Sequence, residues 1–139
     1  MEVPFFDADD FHPASNIEKM RNGIPIDDED RRPWLETLAI KLPEWERQGG
    51  AVLACSALKE SYRAILGSRC NEHITWIFLH GSDELLSERL ASRKGHFFDP
   101  GLLESQLEAL EIPNYGLRID VDSSPREIVY TILKRLRGQ

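Results

Sequence analysis

The sequence predicts an α/β fold, a three-layer sandwich in which helices cover both faces of a parallel sheet. Strand-like and helix-like segments alternate along the chain. The strand candidates at 51–55 and 74–79 are almost continuously apolar, as expected of strands covered on both faces. Ligands bind such sheets beyond the carboxyl ends of the strands. Polar residues that follow strand ends are therefore the candidates for a functional site.

The chain is predicted to start with a short strand and a short helix. Residues 4–6 are strand-like and lead into a polar loop at 7–13. Ser15 and Glu18 have the spacing of a capping box, and the helix that they start should stop at Asn22-Gly23. The acidic run at 27–30 fits the N-terminus of a second helix. We favour that interpretation over a metal site.

The second helix is predicted from apolar residues at helical spacing. Pro43 falls inside this pattern and predicts either a kink or a new helix start. Gly49-Gly50 should end the helix before the strand at 51–55. The apolar positions are Trp34, Leu35, Leu38, Leu42 and Trp45.

Two further strand–helix pairs follow in the middle of the chain. Ser56 is a plausible cap for a helix from about 57 to 66. After the strand at 74–79, Ser82 can cap a helix that runs through Arg93. The segment 94–98 then interrupts the helical pattern.

The C-terminal part is predicted as a helix at 100–110, a strand at 117–121 and a final helix. Ser124, Pro125 and Glu127 give a strong start signal for that helix: a cap, a proline at the first helical position and an acid at the third. One face of the helix should be apolar, formed by Ile128, Val129, Ile132, Leu133 and Leu136.

Composition limits the classes of function. The 139 residues fit one domain, and the 41% of apolar residues suffice for a core. A formal charge of −7 argues against general binding of nucleic acid or anionic membranes, but a few local cations can still hold a small anion. No stretch approaches transmembrane length. The two cysteines form no disulfide framework, which indicates a reduced, cytoplasmic setting.

The first strand ends in a pair of carboxylates. Asp7 and Asp9 are two residues apart, so on extended chain both would point to one side. Such a pair can hold a metal ion through one carboxylate and accept a hydroxyl proton through the other. A strand end followed by a helix-capping turn explains the same residues, and both interpretations stay open.

Pairs of cations suggest an anion site. Lys59 and Arg63 are four residues apart, as are Arg89 and Arg93, so each pair shares a helix face. For either pair alone, solvated basic residues are the simpler explanation. Together with the carboxylate pair, the cations fit phosphoryl transfer, which needs a metal-holding carboxylate, a base and cations on the moving phosphate. His96, after a glycine between two helices, fits a mobile flap.

With these motifs the chain resembles a known family, the gluconokinases, which are relatives of shikimate kinase and the nucleoside monophosphate kinases. The resemblance spans nearly the whole chain, and several of its motifs, notably those at 55–59 and 94–98, are quite specific. The matching stretches are 7–13 (DADDFHP), 16–20, 23–25, 30–31, 33–35, 55–59 (CSALK), 62–63 and 93–98 (RKGHFF).

The resemblance implies a P-loop kinase-like fold and one kinase domain over residues 1–139, with a small lid around 93–100. It implies transfer of the γ-phosphate of ATP, with Mg²⁺, to the 6-hydroxyl of D-gluconate, giving 6-phosphogluconate. It implies small-molecule partners, with no nucleic acid and no membrane, and it leaves a homodimer open.

The resemblance also implies roles for individual residues. Asp7 would hold magnesium, and Asp9 would deprotonate the sugar hydroxyl. Arg31 would pair with the substrate carboxylate, which suits the two-pronged guanidinium. The catalytic set is Asp7, Asp9 and Arg93. The substrate-binding set is Asp9, His12, Arg31, Ser56, Lys59, Arg63, His96 and Gln106. The nucleotide-binding set is Arg89, Arg93, Ser123 and Pro125.

One family feature is missing from these 139 residues. The family begins with a strand, the phosphate loop Gly-x-x-Gly-x-Gly-Lys-Ser and a helix, but no Gly-Lys-Ser or Gly-Lys-Thr occurs here. The family's strand order would put the missing strand between 51–55 and 74–79. We expect residues 1–139 alone to have little kinase activity, because that loop supplies donors around the phosphates. Two alternative functions follow: an inactive remnant that binds a ligand or partner, and a kinase for another small hydroxy acid.

Overall fold

The protein is described by a computed structural model over residues 3–70, 73–92 and 102–138. It divides into two compact units, Met1–Ile74 with His96–Ile112, and Thr75–Gly95 with Pro113–Gln139. In chain order the elements are β1 (Phe5–Asp7), a 3-10 helix (Ala8–Phe11), α1 (Ala14–Arg21), α2 (Asp28–Arg47), β2 (Val52–Ala54), α3 (Glu60–Leu66), β3 (Ile77–His80), α4 (Asp83–Ser92), α5 (Leu102–Ala109), β4 (Leu117–Asp120) and α6 (Pro125–Arg137).

The first unit contains a two-stranded parallel sheet. β1 pairs with β2 in a register that sets Phe5 opposite Val52 and Asp7 opposite Ala54. Both strands therefore end at the same edge of the sheet. The residues that follow them, the 3-10 helix after β1 and the segment leading to α3 after β2, start from that edge. This is the arrangement that the sequence predicts for the candidate site.

The long helix α2 supplies more of the described core of the first unit than any other element. Trp34, Leu35 and Leu38 are each at most 1% exposed. The indole N–H of Trp34 donates to the carbonyl oxygen of Ala8 at 2.6 Å, which ties the helix to the segment after β1. The Trp45 ring stacks on Phe6 with ring centroids 4.2 Å apart. Helix α2 therefore packs against β1 and the chain that follows it.

The second unit is organised around a second parallel pair. β3 pairs with β4, from Ile77 opposite Leu117 to His80 opposite Asp120. A small core forms where β4 meets α6, and its buried members are Ile119, Val121 and Ile128. The partly buried residues that pack on this core are Leu85, Leu86, Leu117 and Ile132.

Local signals predicted most helix starts correctly. Asp27 caps α2 and forms a reciprocal capping box with Asp30. Ser82 accepts from the Leu85 N–H at 3.1 Å at the start of α4. Ser124 caps α6, with proline at its first position. The ends at Asn22 and before Gly49 are confirmed as well.

Two predictions of helix caps are wrong, and one of the two alternatives at Pro43 is excluded. Ser15 does not cap α1, because the Pro13 carbonyl already accepts from Asn16 and Ile17 and so starts the helix two residues earlier. Ser56 does not cap α3, which begins at Glu60. A new helix does not start at Pro43, since α2 runs unbroken from Asp28 to Arg47.

The described strands are less buried than their apolar sequences predict. Val52 is 44% exposed and Leu79 is 50% exposed. Side chains alternate across a strand, so the exposed residues of β2 and of β3 lie on one face of each strand. Among the described residues, each strand also pairs with a single neighbour. Val129 is 54% exposed and so is not part of the buried face of α6. None of the described helices is both long and apolar enough to cross a bilayer.

Gly116 gives a test of the second unit. Its φ is +80°, and a Cβ there would overlap the Trp76 carbonyl oxygen, which accepts the first ladder bond from Leu117. We predict that Gly116→Ala lowers the free energy of unfolding by more than about 1–2 kcal/mol, the cost of left-handed backbone alone. Urea denaturation of residues 1–139 measures this change.

Two other glycines are matched controls for that variant. Gly49 has φ +111° with no atom near the added Cβ, so Gly49→Ala isolates the backbone cost. Gly138 has φ −84° and ordinary Cβ distances of 3.6 Å and more. Gly138→Ala should change stability little. Equal losses for Gly116→Ala and Gly49→Ala would contradict the proposed overlap.

Candidate active site

The carboxylate pair lies at the end of β1, where the chain turns into the 3-10 helix. Asp7 caps this helix: its Oδ1 accepts the Asp9 N–H at 2.9 Å. Asp9 therefore lies in a helical turn, and the prediction that both residues point to one side of extended chain is wrong. The two residues are nevertheless linked, because the capping bond joins the side chain of one to the backbone of the other. Both side chains are partly exposed.

His12 packs behind this pair. Its ring is buried and stacks on Trp34 with centroids 4.1 Å apart. Nδ1 of His12 lies 3.2 Å from Nδ2 of Asn16, and the same Nδ2 donates to the Asp30 carbonyl oxygen at 2.7 Å. A carbonyl can only accept, so that Asn16 atom is the amide nitrogen and His12 Nδ1 accepts from it.

This hydrogen bond decides the tautomer of His12. Since Nδ1 accepts, the neutral ring carries its hydrogen on Nε2, which lies 3.8 Å from Asp9 Oδ1. Burial lowers the pKa of His12 to about 4, with a further contribution from the nearby Arg31 charge and an opposing one from Asp7. The imidazole is therefore neutral at pH 7 and presents an N–H toward Asp9.

The thiol of Cys55 lies close enough to the carboxylate pair to interact with its charges. Burial, and then the negative charges of Asp9 and Asp7, raise the pKa of the Cys55 thiol to about 12. The thiol therefore keeps its proton at pH 7 and is a poor nucleophile. Neither cysteine of the chain is in a disulfide.

A second group of polar side chains joins the start of α2 to α3. Arg31 donates from Nη1 to the Ile26 carbonyl oxygen at 2.8 Å and to the Tyr62 hydroxyl at 3.1 Å. The Tyr62 hydroxyl donates to Asp28. Lys59 Nζ lies 3.2 Å from the same oxygen of Asp28. The predicted substrate residues Arg31 and Lys59 thus come from different elements to one place.

Arg31 keeps one side of its guanidinium open. Nη1 is occupied, whereas Nε and Nη2 make no hydrogen bond within residues 3–70, 73–92 and 102–138. Those two nitrogens form an edge that can hold a carboxylate through two parallel bonds. Arg31 and Lys59 line an open pocket of about 490 Å³. Its other lining residues are Ile26, Asp27, Asp28, Glu29 and Ala109.

Arg63 is placed differently from the other predicted substrate residues. It is 5% exposed, and its guanidinium donates to the carbonyl oxygens of Ala57 at 2.7 Å and Glu111 at 2.8 Å. It also pairs with Glu60 at 3.2 Å. These contacts hold the segment between β2 and α3 against the chain after α5. They also explain why α3 starts late, since the backbone of this segment bonds to Arg63 and to Glu111.

The remaining substrate candidates are only partly located. Ser56 is half-buried just after β2, and Gln106 is half-buried on α5 in the same unit. Arg93, His96 and the predicted lid at 93–100 lie outside the described residues. Their roles stay predictions.

Three nucleotide candidates come together in the second unit. Arg89 on α4 donates from Nη2 to the Ser123 carbonyl oxygen at 2.7 Å. Pro125 begins α6 two residues later. The guanidinium therefore fixes the loop between β4 and α6, which contains Ser123 and leads into Pro125. Their role in nucleotide binding stays a prediction.

Sequence reasoning missed Tyr62 and Asp28 as site residues. Tyr62 appeared only as part of the matching stretch at 62–63, and Asp28 only as part of an acidic helix start. The available signal was weak, because the contact between them joins residues 34 positions apart.

Known proteins of similar sequence and structure are gluconokinases and a sugar kinase. The chain is 44% identical over 146 residues to "Probable gluconokinase" of Dictyostelium discoideum, covering 96% of this chain and 73% of that protein. It superposes on the crystal structure of a gluconokinase from Sinorhizobium meliloti 1021 with a TM-score of 0.78 and 40% identity, over 96% of this chain and 78% of that one. An unliganded sugar kinase from Janibacter sp. HTCC2649 gives a TM-score of 0.83 at 35% identity, over 97% and 80%. No family model matches. The likeness confirms the predicted fold class.

The buried histidine gives a test by pH. The pKa of His12 in the folded state, about 4, lies below its ordinary value of 6.5, so the unfolded chain binds more protons between these pH values. Stability therefore rises with pH across this window and is lost as the pH falls. We predict that His12 accounts for about 2 kcal/mol of destabilisation between pH 7 and pH 5.

The measurement is the free energy of unfolding by urea at the two pH values. His12→Phe keeps a ring on Trp34 and should remove this part of the pH dependence. His73→Phe is the control, because His73 is exposed. The same pH dependence in His12→Phe and the parent chain would show that His12 is not buried as a neutral ring.

Proposed function

This chain belongs to the gluconokinase family, and we propose that its own activity is the ATP-dependent phosphorylation of D-gluconate to 6-phosphogluconate. One observation carries the choice of substrate class: the open Nε–Nη2 edge of Arg31 at a pocket that also contains Lys59. An aldonate has one carboxylate for this edge and hydroxyls for the rest of the pocket. Ser56, His96 and Gln106 are the candidates to contact those hydroxyls. His12, which the sequence also suggested for substrate binding, is buried on Trp34, so we assign it a place behind Asp9 instead.

Asp9 is proposed as the base. It accepts the proton of the 6-hydroxyl as that oxygen attacks the γ-phosphorus of ATP, and ADP leaves with the electrons of the broken bond. Nε2 of His12 lies 3.8 Å from Asp9 Oδ1, so a neutral N–H faces the proposed base. His12 is neutral and holds its proton, so it orients the base and does not compete with it.

Asp7 is proposed to hold Mg²⁺. Magnesium binds through one or two carboxylates, waters and substrate phosphates, so a single carboxylate at a strand end fits it. One oxygen of Asp7 is occupied by the Asp9 N–H, which fixes the direction of the other. Magnesium would supply neutralisation of the phosphate charge. In the second unit, Arg89, Ser123 and Pro125 are proposed to contact the nucleotide, together with Arg93.

Activity tests use the protein translated from its full coding sequence, including whatever precedes Met1, and we call this the full-length protein. Translation upstream of Met1 also shows whether a phosphate loop is encoded. Gluconate phosphorylation by the full-length protein supports the proposal, and its absence with ATP and Mg²⁺ would overturn it.

Removal of the cation that is proposed to bind the carboxylate should weaken gluconate binding. We predict that Arg31→Ala raises KM for gluconate roughly 10–100-fold, since a hydrogen bond to a charged group is worth about 1.5–3 kcal/mol. Lys59→Ala should act in the same direction. Arg32→Ala is a matched control, because Arg32 is exposed and 3.9 Å from its helical neighbour Glu36. Efficient phosphorylation of glucose would contradict the pairing.

Removal of the base should lower turnover. Asp9→Asn keeps the shape of the side chain but cannot accept the proton, and general-base help is worth roughly 10²–10⁴-fold. We predict a loss of kcat in this range with KM for gluconate changed far less. Asp10→Asn is the control, since Asp10 is an exposed neighbour in the same turn. Near-normal kcat in Asp9→Asn would leave the carboxylate pair with a capping role only.

A further inference from the structure

The Tyr62 side chain connects two helices through its hydroxyl. Tyr62 lies in α3 and is 2% exposed. Its ring is buried, but its hydroxyl reaches Asp28 and Arg31, which lie in the first turn of α2. Buried tyrosines usually find a partner for the hydroxyl, and here there are two.

The direction of the hydrogen bonds is fixed by the partners. An ionised carboxylate only accepts and a guanidinium only donates, so the hydroxyl must donate to Asp28 and accept from Arg31. The pKa values agree with this direction. Burial and the Asp28 hydrogen bond raise the pKa of Tyr62, and the Tyr62 hydrogen bond lowers the pKa of Asp28. The phenol therefore keeps its proton and the carboxyl group loses its own.

This fixed direction has a consequence for Arg31. The Tyr62 oxygen and the Ile26 carbonyl together occupy Nη1 of Arg31. The guanidinium carbon lies 5.3 Å from the centroid of the Tyr62 ring, so the ring supports the cation as well. With Nη1 held in this way, the planar guanidinium has one orientation, and its Nε–Nη2 edge stays available.

Asp28 is also joined to the second cation of the pocket. Lys59 is the N-cap residue of α3, and its Nζ contacts Asp28 and lies 5.6 Å from the centroid of the Tyr62 ring. The positive charge of Lys59 is thus partly balanced by Asp28. The bidentate edge that stays open belongs to Arg31, which makes its orientation important for a single carboxylate.

We propose that Tyr62 is a positioning residue that aims the open edge of Arg31 at the substrate carboxylate, and that Asp28 sets the direction of the Tyr62 hydroxyl. This inference rests on the proposed function. It assigns to the contact between Asp28 and Tyr62 a role in selecting carboxylate-bearing substrates over neutral polyols of the same length.

The first test is Tyr62→Phe in the full-length protein. This change keeps the ring and removes only the hydroxyl. Loss of one hydrogen bond should raise KM for gluconate about 3–10-fold, with kcat at saturation changed less than about twofold. The preference for gluconate over glucitol, the neutral polyol, should fall by the same factor. Tyr130→Phe is the matched control, because Tyr130 is 62% exposed on α6.

The second test separates positioning from folding. Asp28→Ala removes the acceptor of the Tyr62 hydrogen bond and should raise KM for gluconate as Tyr62→Phe does. Asp28→Asn keeps an oxygen that accepts a hydrogen bond from the Tyr62 hydroxyl. The KM of Asp28→Asn should therefore be at least about threefold lower than that of Asp28→Ala. A double variant, Asp28→Ala with Tyr62→Phe, should show no larger KM than either single variant, because both remove one connected interaction.

The outcomes distinguish this inference from the proposed function. Unchanged KM in both Tyr62→Phe and Asp28→Ala, in a protein that phosphorylates gluconate, would overturn the positioning role and leave the function intact. A fall in kcat as large as the rise in KM, with equal effects for Asp28→Ala and Asp28→Asn, would indicate a structural role only. That result would also overturn the positioning role. Failure of the unsubstituted full-length protein to phosphorylate gluconate would instead overturn the proposed function.

Discussion

The hydrogen bond from the Trp34 indole to the Ala8 carbonyl joins the two parts of the chain that supply most of the candidate site. Ala8 lies between Asp7 and Asp9, and Trp34 lies one turn after Arg31 on α2. Both ends of the bond are buried, so breaking it would leave a buried polar group without a partner, at a cost of about 1–3 kcal/mol. The Trp34 ring also carries His12 on its face. One side chain thus fixes the base segment relative to the start of α2.

How much of this could be predicted from the sequence depends on how local each interaction is. The caps of α2, α4 and α6 were predictable, because each is made between residues three positions apart. Ser15 and Ser56 show the limit of the same rule. Their sequence signals were good, but Pro13 starts α1 earlier and contacts from Arg63 and Glu111 hold the chain before α3 extended. At Ser56 non-local contacts outweighed the local preference, whereas at Ser15 an earlier local start at Pro13 replaced the predicted one.

The candidate site was predictable as a set of residue types more than as a geometry. The carboxylates after β1 and the cations at Arg31 and Lys59 followed from strand ends and from the family resemblance. The neutral state of His12 could not be predicted, since it depends on burial against Trp34 and on Asn16. The buried bonds of Arg63 depend in the same way on residues 48 positions apart. Helical spacing alone made Arg63 look equivalent to Lys59, whereas one is 5% exposed and the other lies at the pocket.

The acidic lining of the pocket is at first sight a poor match for an anionic substrate. Asp27, Asp28 and Glu29 all line it, beside Arg31 and Lys59. However, Asp27 accepts the Asp30 N–H at 2.8 Å as the cap of α2, and Asp28 is bonded to Tyr62 and Lys59. All three acids lie at the positive end of the α2 dipole, which offsets part of their charge. Glu29 is exposed, where water screens it. The acids are thus used in building the helix start, while Arg31 keeps its two-nitrogen edge for a ligand. Such a pocket suits a single carboxylate. A further negative charge on the ligand would meet the acids, and Arg31 is the one arginine among the described residues that line the pocket.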